Sequence, residues 1–366
     1  MPLATKRRLP MQAAYSDAQR KLSLKLNGCN GSGRDALGQF ALQPRRVNVP
    51  IRPSVGRPSI PPERLLKAQL LIALYSVRSD RLFCEQLDYD ILFRWFLDMD
   101  LESPTLDQSN FSRLRERLVA TDVARCFFDE VVNLACKQRP LSSDHFTVDG
   151  TLIDAWASFK SFKPKDGTPP KDGDDDTGMI DFKGERHSNA THQSTTDPES
   201  RLVRKGKGHP AKLSYGGHVL IENRNGLCVD ILITESTQAE HRAARQLLTR
   251  ARRRHIHPKT LGADKGYHVK EFVGHLREHL VRPHIARIKD RKTSGLDGRT
   301  TRTEGYRVSQ RKRKRVEEIF DWLKTVGGLR KTRFIGQAKT QMAAFISGAA
   351  YNLLRIARLS VSEVKA

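Results

Sequence analysis

The sequence predicts an α/β protein, a mixed five-stranded sheet flanked by helices, preceded by an all-helical domain. Three observations carry that reading. Between about residues 60 and 137, apolar residues recur at helical spacing with no β-like run among them. From His145 onward, short apolar runs alternate with amphipathic stretches in the order β-β-β-α-β-α-β-α. At 366 residues the chain is also long enough for more than one domain.

Composition narrows the partner. Lysine and arginine number 65 against 41 aspartate and glutamate, a formal charge of +24. Such an excess repels itself unless a polyanion neutralises it, and nucleic acid is the usual one. No apolar run reaches the roughly 20 residues of a membrane helix, so no membrane partner is expected. Nor does a continuous apolar stretch follow the basic N-terminus, which argues against a secretory signal. Cys29, Cys84, Cys126, Cys136 and Cys228 are scattered, without CxxC spacing. They read as free thiols in a reducing cytoplasm, and not as a disulfide framework or a structural zinc site.

The elements follow in order. Residues 1–58 are a basic, poorly structured segment holding eleven Lys/Arg and two Asp. Nothing there fixes a geometry, so a solvated tail is favoured over an arm for DNA phosphates. A helical domain, a candidate DNA-binding unit, spans 59–140. Ser59 caps its first helix before Pro61 and Pro62, and a second helix fits Arg81 to Trp95. Ser109 to Ser112 opens a third, with Leu114 and Leu118 on one face and Arg113, Arg115 and Arg117 on the other. These arginines could face DNA, although a solvated helix face is the commoner reason for such a pattern. A fourth helix covers Asp122 to Cys136.

The region 141–335 holds the sheet. Strands are expected at 145–148, 213–222, 227–234, 260–263 and 281–285, with Asn223 to Gly226 as a hairpin turn between the second and third. Helices are expected at 240–254, 268–279 and from about Gln310 to Lys324. Residues 160–210, rich in Gly, Pro and charge, read as one flexible loop. The acidic cluster Asp172 to Asp176 inside it is read as solvated. An apolar helix closes the chain within 336–366.

Three acids stand out by position. Asp149 and Asp264 each follow an apolar strand, and strand ends in open α/β sheets border the crevice where ligands bind. Oxygen-only donors there favour Mg²⁺ or Mn²⁺ over zinc. The third acid, Glu317, shares a helical face with Arg313 and Lys324, four residues before and seven after it. Alone, that trio reads as a surface ion pair. With the two aspartates it forms the set used in two-metal phosphoryl transfer, where paired ions clamp the attacking and leaving oxygens. Arg313 and Lys324, flanking Glu317, are read as holding DNA phosphate, and Arg311, Lys312 and Arg315 as further DNA-facing charge, because residues 286–333 hold sixteen Lys/Arg against six acids. The histidines, His145, His218 and His268 included, show no ligand or nucleophile spacing and are assigned structural or solvent-facing roles.

Several ordered blocks together resemble the DDE transposases of bacterial insertion sequences, in the broad group of insertion sequences four and five. They are GRPSIPPERLLKAQLLIALYSVRSDR, HFTVDGTLIDAWASFKSF, STTDPESRLVRKG, AKLSYGGHVLIENRNG, LGADKGYH, LDGRTTR and SQRKRKRVEEIFDWLKTVGGLRKTR, spread from Gly56 to Leu359. The resemblance implies a ribonuclease-H-like core, with Asp149, Asp264 and Glu317 as catalytic, metal-binding carboxylates. It also implies two Mg²⁺ ions, replaceable by Mn²⁺, and double-stranded DNA partners, namely terminal inverted repeats and target. Oligomerisation on DNA in the cytoplasm, close to the nucleoid, follows from the need to hold two element ends. In the family's helix motif Arg313, Glu317 and Lys324 match, but Gln310 stands at the tyrosine position, with Tyr306 one turn earlier. The first 55 or so residues also differ from the family's usual start. Those departures motivate a second reading, a catalytically impaired remnant that only binds DNA.

Overall fold

The computed structural model describes residues 60, 62–120, 122–138, 142–165, 188–206, 208–288 and 295–363. The basic segment 1–58, the Ser59 cap, His187 and the cluster Asp172 to Asp176 lie outside them. The chain divides into one unit of residues 1–140 with 345–366, and another of 141–344.

In the first unit, α1 (Pro62–Leu74) and α2 (Asp80–Tyr89) bury Leu65, Leu66, Leu70, Leu71, Phe83 and Leu87. The helix expected from Arg81 to Trp95 is broken at Asp90. That residue takes an extended backbone, and its carboxylate accepts the Phe93 N–H at 3.0 Å, capping a short α3 (Ile91–Phe96). Next, α4 (Gln108–Ala120) is capped by Asp107, which accepts the Asn110 N–H at 2.8 Å. After it comes α5 (Val123–Gln138). Phe83 stacks on Phe93 and Phe111 at 5.8 and 5.5 Å, so one ring ties three helices. The C-terminal helix α11 (Gln337–Glu363) supplies Phe345, which packs 5.6 Å from Phe128 beneath the Arg125 guanidinium. Among the described residues no helix is long and apolar enough to cross a membrane. Cys84 and Cys126 are free thiols, and burial pushes them up to about 11.

The second unit is built on a six-stranded mixed sheet, one strand more than expected. Its strands are β1 (His145–Asp154), β4 (Arg201–Arg204), β5 (Ala211–Glu222), β6 (Leu227–Glu235), β7 (Thr260–Ala263) and β8 (Arg282–Ile285). β5 pairs antiparallel with β1 on one side and with β6 and then β4 on the other. β1, β7 and β8 run parallel. Parallel neighbours need crossovers, supplied by α6 (Glu240–Arg253) and α7 (Lys270–Glu278). An antiparallel hairpin followed by parallel strands on the far side of β1 is the ribonuclease-H-like order. The predicted loop at 160–210 instead contains β4 and a separate ribbon of β2 (Phe162–Pro164) and β3 (His192–Ser194). Periodicity misses strands of three or four residues. At the hairpin turn, Gly226 takes φ +66° and the buried Glu222 carboxylate accepts the N–H groups of Arg224 and Asn225 at 2.6 and 2.8 Å.

Arg94 is a buried cation of the helical unit, 4% exposed. It donates to the carbonyl of Leu87 at 2.9 Å and to those of Asp100, Leu101 and Ser103 at 2.5–2.9 Å. Replacing it with methionine strands those acceptors, so Arg94→Met is predicted to lower stability by about 2–4 kcal/mol in chemical denaturation. A loss within experimental error would contradict this role.

Candidate active site

Parallel pairing sets the first two acids side by side. β1 and β7 pair in register through Thr147 and Gly262, and β7 ends at Ala263. Continued two positions past the last pair, that register brings Asp149 level with Asp264, and the two carboxylates interact electrostatically. Neighbouring strands lie about 4.8 Å apart, so acids at one level feel each other strongly. Asp149 is not at a strand end, as the sequence implied. β1 continues to Asp154 because its antiparallel ladder with β5 runs on after the β7 ladder stops.

The third acid comes from the late helix, which is broken. After the single turn α8 (Gly298–Thr301), and instead of one helix from Gln310 to Lys324, α9 (Glu304–Lys312) and α10 (Arg315–Thr325) meet at Arg313 and Lys314. There the N–H groups of Val316 and Glu317 bond back three residues, to Arg313 and Lys314, at 3.2 and 3.0 Å. Glu317 thus falls in the first turn of α10, where a carboxylate is favoured by the helix dipole. α10 buries Val316, Ile319 and Leu323.

Electrostatics joins the three. Partial burial pushes the Asp149 carboxyl up to about 6; the Gly150 N–H and the Arg313 charge pull it down, while Asp264 and Glu317 push it higher. Arg313 reaches Asp264 at 3.3 Å. Lys324 donates to Thr151 Oγ1 at 2.5 Å, on the face of β1 that carries Asp149 two residues earlier. Burial lowers its ammonium below the usual lysine range. Among the described residues no three Asp, Glu, His or Cys side chains are drawn together as a metal cage. The donor set nonetheless fits a hard divalent cation: oxygen donors only, like-charged, with Asp264 and Glu317 exposed and free to turn inward.

Sequence reasoning missed a fourth carboxylate. Glu240 opens α6, and its oxygens lie 3.2 and 2.9 Å from where β-carbons on Gly150 and Gly266 would stand. Partial withdrawal from water, then the charges of Asp149 and Asp264, raise its carboxyl. The available signal was the pair of glycines next to, and two residues beyond, the strand aspartates. A side chain at either position would push the Glu240 carboxylate aside.

The expected DNA-facing cations separate. Arg311 is exposed and 3.8 Å from Glu304, and Lys312 is exposed. Arg315 instead donates to the carbonyls of Asn223 and Arg224, so it fastens α10 to the β5–β6 turn. In the helical unit Arg113 is exposed and bonded to Asn110 at 2.6 Å, while Arg115 pairs with Asp80. Arg117 lies on the same helix, and its side chain is outside the described residues. Tyr306 and Gln310 donate to the carbonyls of Ile285 and His284, at 2.9 and 2.6 Å, anchoring α9 to β8. His145, His218 and His284 are held near 4 by burial, hence neutral at physiological pH.

A raised carboxyl favours the folded state only while protonated. Asp149's contribution in metal-free protein is full below about pH 4 and is lost as pH rises through about 6. Asp149→Asn is therefore predicted to melt roughly 2–4 °C above the parent at neutral pH in EDTA, with no gain at acid pH. Equal melting at both pH values would contradict the assigned environment.

Two family models match the chain. One, described as Transposase domain (DUF772), covers residues 43–117, and the other, Transposase DDE domain, covers 179–353. The second includes Asp264, Glu317 and Glu240. No curated relative matches. Among solved structures, the chain is similar to a piggyBac transposase synaptic complex with hairpin DNA, at 12% identity and TM-score 0.42, covering 98% of this chain and 74% of that one. It is also similar to a Mos1 transposase paired-end complex with left transposon end, at 11% identity and TM-score 0.21, covering 90% and 98%. Likenesses this distant add no weight to the strand order and the family models. By those models, which together span more than half of its length, the chain belongs to the DDE transposases.

Proposed function

We propose that this protein cuts DNA at the ends of an insertion sequence, of the broad group four and five, and joins the freed 3′-hydroxyls to target DNA. The observation that carries the reading is the level placement of Asp149 and Asp264 with Glu317 in electrostatic contact. Asp149, Asp264 and Glu317 would hold divalent cations, Mg²⁺ by preference and two in number, which supply charge neutralisation at the attacking and leaving oxygens. Arg313, which pairs with Asp264 at 3.3 Å, would hold a phosphate oxygen beside that carboxylate, for which its fork is suited. Lys324, fixed by Thr151, holds a second phosphate position on the same face of β1. Water attacks first, breaking the P–O3′ bond at the element boundary; the released 3′-hydroxyl then attacks a target phosphodiester and displaces its 3′-oxygen. No covalent protein intermediate is required. Two copies acting together on two ends, within the cytoplasm, complete the reading.

The DNA-binding remnant is the second reading, motivated by Gln310 at the tyrosine position. Against it, Tyr306 and Gln310 both serve as anchors of α9, so the exchange leaves Arg313 and Glu317 in position. A labelled duplex bearing the terminal repeat, incubated with Mg²⁺ or Mn²⁺ and with EDTA, separates the two. Metal-dependent nicking at the repeat boundary is expected, reduced at least about a thousandfold in Asp149→Asn, Asp264→Asn and Glu317→Gln. Binding without cutting establishes the remnant, and cutting that survives all three substitutions defeats the site assignment.

A further inference from the structure

A second charged surface lies apart from the α9–α10 cations. Along α6, Arg242, Arg245, Arg250 and Arg253 recur at three- to five-residue spacing, opposite the buried stripe of Ala243, Ala244, Leu247, Leu248 and Ala251. With Glu271 and His275 of α7 they line an open groove of about 700 Å³. The arginines span about 16 Å of helix, enough to follow roughly five phosphates of one DNA strand. Little in the groove neutralises them. Glu271 pairs with Arg245, and the buried Asp230 lies 3.9 Å from Arg250. Arg242 and Arg253 are exposed, with no acidic partner among the described residues.

The stripe also has a direction. α6 begins with Glu240, beside Gly150 and Gly266 at the acid edge, and the arginines lead away from it. We infer that the α6–α7 groove is a track for the phosphate backbone of duplex DNA, extending from the strand cut at the acids. Arginine forks match phosphate oxygens in pairs, and a groove this open suits a long polyanion better than an enclosed small molecule. The inference rests on the transposase reading and adds a surface to it.

The test is DNA binding by the full-length protein across a salt series, with labelled duplexes that carry or lack the terminal repeat. Arg242→Ala/Arg253→Ala is expected to weaken binding at least about tenfold and to flatten the slope of log K against log salt by about 1.8, since each lost phosphate contact removes about 0.9. Glu271→Gln frees Arg245 and is expected to tighten binding, a change that misfolding cannot produce. Weakening on both duplexes assigns the track to any DNA, target included; weakening on the repeat duplex alone assigns it to the element end. Unchanged affinity and slope in the double variant, with the parent still binding, overturns this track and leaves the transposase reading standing. A parent that binds neither duplex overturns both.

Discussion

Carboxylates held at the edge of a folded sheet repel one another, and the sheet-bearing unit of this molecule is arranged around that repulsion. Asp149 bears it most plainly: partial burial and the charges of Asp264 and Glu317 together lift its carboxyl to about 6. Arg313 offsets part of the strain by leaning on Asp264. An exposed ion pair is weak compensation in water. A divalent cation among oxygen donors is a much stronger one, and its binding would exchange repulsion for coordination.

The scaffold makes the repulsion unavoidable. Asp149 is held in place by its ladder with β5, and Asp264 by the end of a strand paired on both sides. Neither backbone can retreat without breaking sheet hydrogen bonds. The tight turn at Arg313 and Lys314 fixes where α10 begins, and its buried Val316, Ile319 and Leu323 prevent Glu317 from rotating away. Glu240 adds a fourth carboxylate from the opposite face, admitted because Gly150 and Gly266 carry no side chain. The site is therefore built by packing, which fixes the backbones that carry the acids while the Asp264 and Glu317 side chains stay exposed.

Much of this was readable from the residues. The apolar runs before Asp149 and Asp264 are strands, and the Asn223 to Gly226 turn closes a hairpin. What escaped depended on contacts distant in sequence. β4 is only four residues long and exists because β5 offers it an edge. The break at Arg313 and Lys314 has no proline or glycine to announce it; both residues keep helical dihedrals while the hydrogen bonds tighten. Arg315 reads as one more DNA-facing cation until the carbonyls of Asn223 and Arg224, some ninety positions away, are seen to claim it. Glu240 reads as an ordinary first-turn acid until the sheet brings it to Gly150.

A divalent centre shared by Asp149, Asp264 and Glu317 would reveal itself when the protein is loaded with Fe²⁺, given peroxide and ascorbate, and mapped for backbone cuts made by locally released radicals. Cuts clustered around residues 149, 264 and 317, suppressed by excess Mg²⁺, are expected. Cuts confined to other regions, or a pattern indifferent to Mg²⁺, would show that these acids do not share a metal.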